Sequence, residues 1–204
     1  ETVIQVSSLG KRIKGKTILE DISFEINKGD CVALIGPNGA GKTVLMSCIL
    51  GDKKPSSGQV LIDGKAGKAK NKIAVLLQEN TIPNSLKVEE LIAFFQSISD
   101  NPLTNQEVQE LLQFKEDQYQ QFADKLSGGQ RRLLAFVLCL IDKPKILFLD
   151  EPTAGMDTST RQRFWEIVND LKKSGVTILY SSHYIEEVEH TADRILVLHP
   201  GKLI

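Results

Sequence analysis

The sequence predicts an α/β fold, with a mostly parallel, doubly wound sheet, an antiparallel β subdomain and an inserted helical subdomain. Three observations carry this. Short apolar runs such as Cys31-Val32-Ala33-Leu34-Ile35 and Ile146-Leu147-Phe148-Leu149 alternate with segments of helical period. A glycine-rich turn follows the first of these runs and opens a helix that stops at Gly51. From about Pro83 to Asp142 the pattern stays helical with no strand between, which marks the insertion.

In chain order, residues 3–6, 17–19 and 22–26 read as short strands, with turns at 14–16 and 27–30. Residues 58–64 add a strand ending in a turn, and these strands are expected to pair antiparallel beside Cys31–Ile35. A basic, glycine-containing loop at 64–72 leads into a strand at 72–77, ending at Gln78. Helices are expected at 88–95, at 105–114 and from about Ser127 through Leu140, within a helical subdomain at 83–142. Alternation then resumes with a strand at 145–150, a helix at 158–173 closed by Gly175, and a strand at 176–181. A short helix at 184–190 and a strand at 194–198 finish it. The whole is expected to be one domain, residues 1–204.

Composition narrows the function classes. A net charge of -1 gives no electrostatic case for binding nucleic acid or a membrane surface. The longest apolar run, residues 133–141, is far short of the roughly 20 residues that span a bilayer. The start, ETVIQVSS, lacks the basic and apolar blocks of a signal peptide. Cys31, Cys48 and Cys139 lack metal-ligand spacing and lie in apolar stretches, so they read as buried reduced thiols of a cytosolic protein.

The chemistry begins at Gly36-Pro37-Asn38-Gly39-Ala40-Gly41-Lys42-Thr43, which fits G-x-x-x-x-G-K-[ST], the P-loop or Walker A pattern. Its glycines let successive backbone N–H groups turn inward around an anion, and the following helix adds its positive end. Lys42 is placed to reach the β- and γ-phosphates and Thr43 to complete a Mg²⁺ shell. Asp150 and Glu151 end an apolar strand, where ligands of parallel sheets bind. Asp150 is the candidate to hold Mg²⁺, and Glu151 to orient or deprotonate water. Leu126-Ser127-Gly128-Gly129-Gln130 opens a helix. Ser127 suits its N-cap and the glycines leave N–H groups free for a phosphate.

With LSGGQ lying between the two Walker motifs, the chain resembles the ATP-binding subunit of ATP-binding cassette (ABC) transporters along nearly its whole length. The resemblance implies a P-loop NTPase of the ABC type that binds ATP and Mg²⁺ and works as a homodimer or heterodimer of ATPase subunits. Two ATP molecules would be sandwiched head to tail, so that Ser127, Gly128, Gly129 and Gln130 act in trans on the partner's nucleotide. Gln78 matches the Q-loop glutamine, which touches the metal and senses the membrane partner. Asp157, in Ala154-Gly155-Met156-Asp157, matches the D-loop, though it also suits the N-cap of the next helix. His183, in Ser181-Ser182-His183, matches the switch histidine of the γ-phosphate. The family's adenine-stacking aromatic falls on Ile13, which offers an aliphatic surface without π-stacking.

The function expected is a Mg²⁺-dependent ATPase on the cytoplasmic face of a membrane, powering a transmembrane permease of exporter type, with no nucleic-acid partner. The coupling helix of that permease is expected to dock on residues 80–91. A soluble ABC-class ATPase, such as an iron–sulfur assembly component, is the alternative.

Overall fold

The computed structural model describes residues 1–37, 41–65, 72–78, 82–83 and 85–204. The chain opens with a long hairpin, β1 (Thr2–Ile13) and β2 (Lys16–Asn27). It enters a second sheet as β3 (Cys31–Ile35) and leaves as helix α1 (Lys42–Leu50). Strands β4 (Ser57–Ile62) and β5 (Ile73–Leu76) follow. Helices α2 (Val88–Ser97) and α3 (Asn105–Leu112), two 3-10 turns at Glu116–Gln120 and Ala123–Lys125, and α4 (Gly128–Leu140) come next. The remainder alternates: β6 (Ile146–Asp150), α5 (Thr158–Lys173), β7 (Thr177–Ser182), α6 (Ile185–Thr191) and β8 (Arg194–Val197).

Five strands form a parallel sheet in the order β5-β6-β7-β3-β8, and three form an antiparallel sheet in the order β2-β1-β4. The expectation that the antiparallel strands lie beside the glycine-loop strand needs correcting. Both edges of β3 are taken by β7 and β8, so the hairpin makes its own sheet and packs over the first one. The two short strands expected at 17–19 and 22–26 are one, with Asp21 at φ 48 taking up the irregularity. Strand β1 also runs well past residue 6. Its polar stretch tolerates pairing because only one face of such a sheet is buried. The loop expected at 64–72 falls largely outside the described residues.

Alternation along the parallel strands divides the core in two. Cys31, Ala33, Leu147, Leu149, Ile178 and Tyr180 face the helical block, packing against α4 and α5 residues such as Phe136, Val137 and Phe164. Val32, Leu34, Ile146, Phe148 and Leu179 face α1 and the hairpin sheet. With apolar neighbours on both faces the strands carry near-continuous hydrophobic runs. Burial raises the Cys31 thiol to about 12 and that of Cys139 to about 11, so both are inert structural thiols at neutral pH. Among the described residues no helix is long and apolar enough to cross a membrane.

Candidate active site

The site forms where three strands end on one edge of the parallel sheet. Strand β7 lies between β3 and β6, and their register aligns Leu34, Ser181 and Asp150 in one row. The next residues, Gly36 beyond β3, Glu151 beyond β6 and His183 beyond β7, are therefore brought together although the sequence separates them widely. Gly41 caps α1 at φ 100, and a Cβ there would come within 2.9 Å of Leu19 Cδ2. Only glycine fits.

Lys42 is the first residue of α1 and is buried. Its Nζ donates to the Gly36 carbonyl at 2.6 Å and lies 3.6 Å from Glu151 Oε1. The Thr43 hydroxyl donates to Asp150 Oδ2 at 3.3 Å. Ser181 supplies a second clamp: its hydroxyl donates to Asp150 Oδ1 at 2.6 Å and accepts the Glu151 N–H at 2.9 Å. His183 Nδ1 sits 3.0 and 2.9 Å from the two Glu151 oxygens. An ionised carboxylate only accepts, so Nδ1 carries a proton in this contact. Glu151 itself is left-handed at φ 48, a conformation costing roughly 1–3 kcal/mol in a non-glycine residue. Ser181, Lys42 and His183 over-determine that geometry.

A cavity of about 280 Å³ opens beside them, lined by Gly41, Lys42, Thr43, Gln78, Asp150 and Glu151 with Ile18 and Val44 as its apolar wall. A helix N-terminus, a buried ammonium and a left-handed glycine suit a phosphate. For a metal, the described residues contain no cluster of three His, Cys, Asp or Glu. The Thr43 hydroxyl and Asp150 carboxylate are nevertheless hard oxygen donors of the kind that suits a Mg²⁺ keeping water and phosphate ligands.

Other expected residues lie elsewhere. Asn38, Gly39 and Ala40 fall outside the described residues, and Pro37 is exposed. Ile13 ends β1 opposite Lys16 and is not among the described residues lining the cavity, where Ile18 supplies the aliphatic surface. The LSGGQ segment does not touch the Lys42 cavity. Ser127 caps α4 by accepting the Gln130 N–H at 3.1 Å, and the Gln130 amide oxygen accepts the Ser127 N–H at 3.2 Å, a closed capping box. Gly128 faces open space, whereas a Cβ on Gly129 would lie 3.1 Å from Met156 Cα. The signature helix is thus seated directly on the loop that carries Asp157. Asp157 accepts the Thr160 N–H at 2.8 Å, which holds its carboxyl below the usual range.

Reasoning from sequence missed three residues. Ser181 and Ile18 have no motif of their own that could reveal them. Arg132 follows the LSGGQ string, and its guanidinium donates to the carbonyls of Leu77 at 2.6 Å and Asp150 at 2.8 Å. It ties α4 both to the residue before Gln78 and to the strand bearing the two acids. Burial lowers its pKa, with Asp150 opposing the shift.

With this geometry in hand, the comparisons agree. The ABC transporter family model matches residues 19–154. The linearmycin resistance ATP-binding protein of Bacillus subtilis is 34% identical over 99% of this chain and 68% of its own length. The Nod factor export ATP-binding protein I of Ralstonia nicotianae is 34% identical over 99% of this chain and 66% of its own. A probable multidrug ABC transporter ATP-binding protein of Escherichia coli is 33% identical over the whole chain, which spans only 37% of that protein. Among solved structures, an ATP-binding subunit of an ABC transporter superposes with a TM-score of 0.85 at 26% identity, covering 98% of this chain and 88% of that one. The cbiO1 protein of Clostridium perfringens, part of the ABC transporter complex cbiONQ, matches at 0.85 and 26%, over 100% of this chain and 87% of its own.

Proposed function

The chain belongs to the ABC transporter family, and we propose that it is the ATP-hydrolysing subunit of an exporter, working as a dimer on the cytoplasmic face of a membrane against a transmembrane permease. The observation that carries this reading is the convergence of Lys42, Asp150 and Glu151 on one cavity, with His183 bonded to Glu151, while the segment Ser127–Gln130, exposed at Ser127 and Gly128, lies apart from it. One chain then supplies a phosphate cradle and a separate phosphate cap. A second copy, arranged head to tail, brings the two together.

In this reading the N–H groups of the loop that leads into α1 and the Lys42 ammonium hold the β- and γ-phosphates. Thr43, Asp150 and Gln78 hold Mg²⁺, which neutralises phosphate charge when bound. Glu151 orients a water molecule and accepts its proton as the terminal phosphoryl group leaves ADP for that water. Lys42 is already 3.6 Å from Glu151, so the pair is arranged before ligand arrives. His183 holds Glu151 from the other side and, as the imidazolium, donates its Nε2–H to the γ-phosphate. The partner's signature and D-loop, here Ser127, Gly128, Gly129, Gln130 and Asp157, complete the far side. Ile13 or Ile18 meets the adenine through aliphatic contact.

The helical block at 83–142 is the face offered to the permease. Phe94 on α2 and Ile98 just past its end are 54% and 65% exposed, and Leu77, beside Gln78, is half exposed. Residues 80, 81 and 84 of the docking segment expected at 80–91 lie outside the described residues. Names such as Nod factor export and linearmycin resistance favour export. Nothing in these relatives supports the iron–sulfur alternative. The test is capture of the tagged protein from gently solubilised native membranes, followed by mass spectrometry. Stoichiometric recovery of a polytopic membrane protein is expected, and recovery of soluble partners alone would overturn the transport reading.

A further inference from the structure

His183 is 44% exposed and follows the last residue of β7, so its bond to Glu151 does not by itself fix the ring. A second contact does. The Tyr184 ring packs against the imidazole with centroids 4.1 Å apart and planes inclined at 38°. Tyr184 is in turn held from α5: the Arg161 guanidinium lies over its ring, 5.7 Å from the centroid. Arg161 is oriented by Glu187, whose Oε2 lies 3.2 Å from Arg161 Nε. The other Glu187 oxygen accepts the Thr153 hydroxyl at 2.7 Å. Arg161 also donates to the Met156 carbonyl at 3.4 Å, in the loop against which Gly129 is packed.

We infer that Tyr184 and Arg161 are positioning residues for His183. They hold its imidazole against Glu151 and make that placement depend on the loop at 153–157. The inference rests on the catalytic reading of Glu151 and His183 given above. The tyrosine acts through its ring face, and no described hydrogen bond of its hydroxyl enters the chain of contacts. Arg161 acts through charge and plane together, because the same guanidinium meets a carboxylate, a carbonyl and an aromatic face. A rearrangement of the loop when a second subunit docks would then reach the catalytic carboxylate through Met156, Arg161, Tyr184 and His183, each in contact with the next.

The test compares wild type, Tyr184→Ala, Tyr184→Phe and His183→Ala in steady-state ATP hydrolysis. It is paired with long-range proton–nitrogen NMR of the imidazoles, of which the chain has three. Tyr184→Ala is expected to lower kcat about tenfold, within the span of a misplaced acid–base group, with KM for ATP unchanged. Tyr184→Phe is expected to restore kcat. In NMR the hydrogen-bonded Nδ1 proton, assigned by its absence in His183→Ala, is expected in wild type and Tyr184→Phe and lost in Tyr184→Ala. That readout does not require turnover. Retention of the signal in Tyr184→Ala, or equal losses in the Ala and Phe variants, would overturn the inference. Wild-type hydrolysis by His183→Ala would instead remove the catalytic reading beneath it.

Discussion

The edge of the parallel sheet and the start of α4 both look like phosphate sites in sequence, yet they are built on opposite principles. At the sheet edge the charged groups are partnered within the chain. Lys42 is paired with Glu151, Asp150 is held by Thr43 and Ser181, and Glu151 is held by His183. A buried ion pair of this kind is strongly destabilised when one partner is removed, so the site is fixed before ligand binds. At the start of α4 the contacts are local: a capping box between Ser127 and Gln130, an open Gly128, and Gly129 against Met156. The first region is a finished half-site. The second is a capped helix start that does not line its own chain's cavity, and in the proposed reading its chemistry depends on another subunit.

Substitutions at three positions test that contrast. The largest effect is expected from Glu151→Gln, which removes the proposed proton acceptor but keeps the shape. Hydrolysis should fall roughly 10²–10⁴-fold while ATP still binds, and size-exclusion chromatography in ATP should show a stable dimer. Turnover near wild type would sink the role of Glu151. Next is Gly129→Ala, whose Cβ must displace the Met156 backbone from 3.1 Å. Because small misplacements near a reacting centre are costly, hydrolysis should drop about tenfold, with little change in the monomer's thermal midpoint. An unaltered rate would make the seating of α4 on that loop irrelevant to catalysis.

The smallest effect separates cap from ligand. Ser127→Ala should cost about 1 kcal/mol of stability through the lost N-cap, lowering the midpoint by about 2–4 °C in a chain of this size. Ser127→Asp preserves the cap and suits the helix dipole, so its midpoint should match wild type. It nevertheless puts a carboxylate where the partner's phosphate is expected, and ATP-dependent dimerisation should fail. A Ser127→Asp protein that dimerises and hydrolyses normally would reduce the serine to a cap.

Much of this was legible in the residues. The pattern from Gly36 to Thr43, the apolar strand ending in Asp150 and Glu151, and the capped start of α4 each state their local geometry. Turn glycines, caps and hydrophobic period are short-range properties. Ser181 was not legible. It is one of two serines at the end of an apolar strand, and its two bonds exist only because β7 lies next to β6. Arg132 likewise gains meaning only when α4 passes beneath the ends of β5 and β6. The hairpin was read in pieces because Asp21 interrupts its alternation, while pairing along β1 overrides that interruption.

The sequence by itself determined the chemistry available: a phosphate-binding loop, two strand-end acids, a capped signature helix and a histidine after a strand. The tertiary structure decided which of these meet. The order β5-β6-β7-β3-β8 sets Glu151, Lys42 and His183 around one point and leaves Ser127 outside it. The physical reason is that parallel strands are joined by long crossovers, so neighbours in the sheet are distant in the chain. Hydrophobic period reports which face of a strand is buried and says nothing about which strand lies beside it. That choice is made by packing two cores on either face of one sheet, and the site is its consequence.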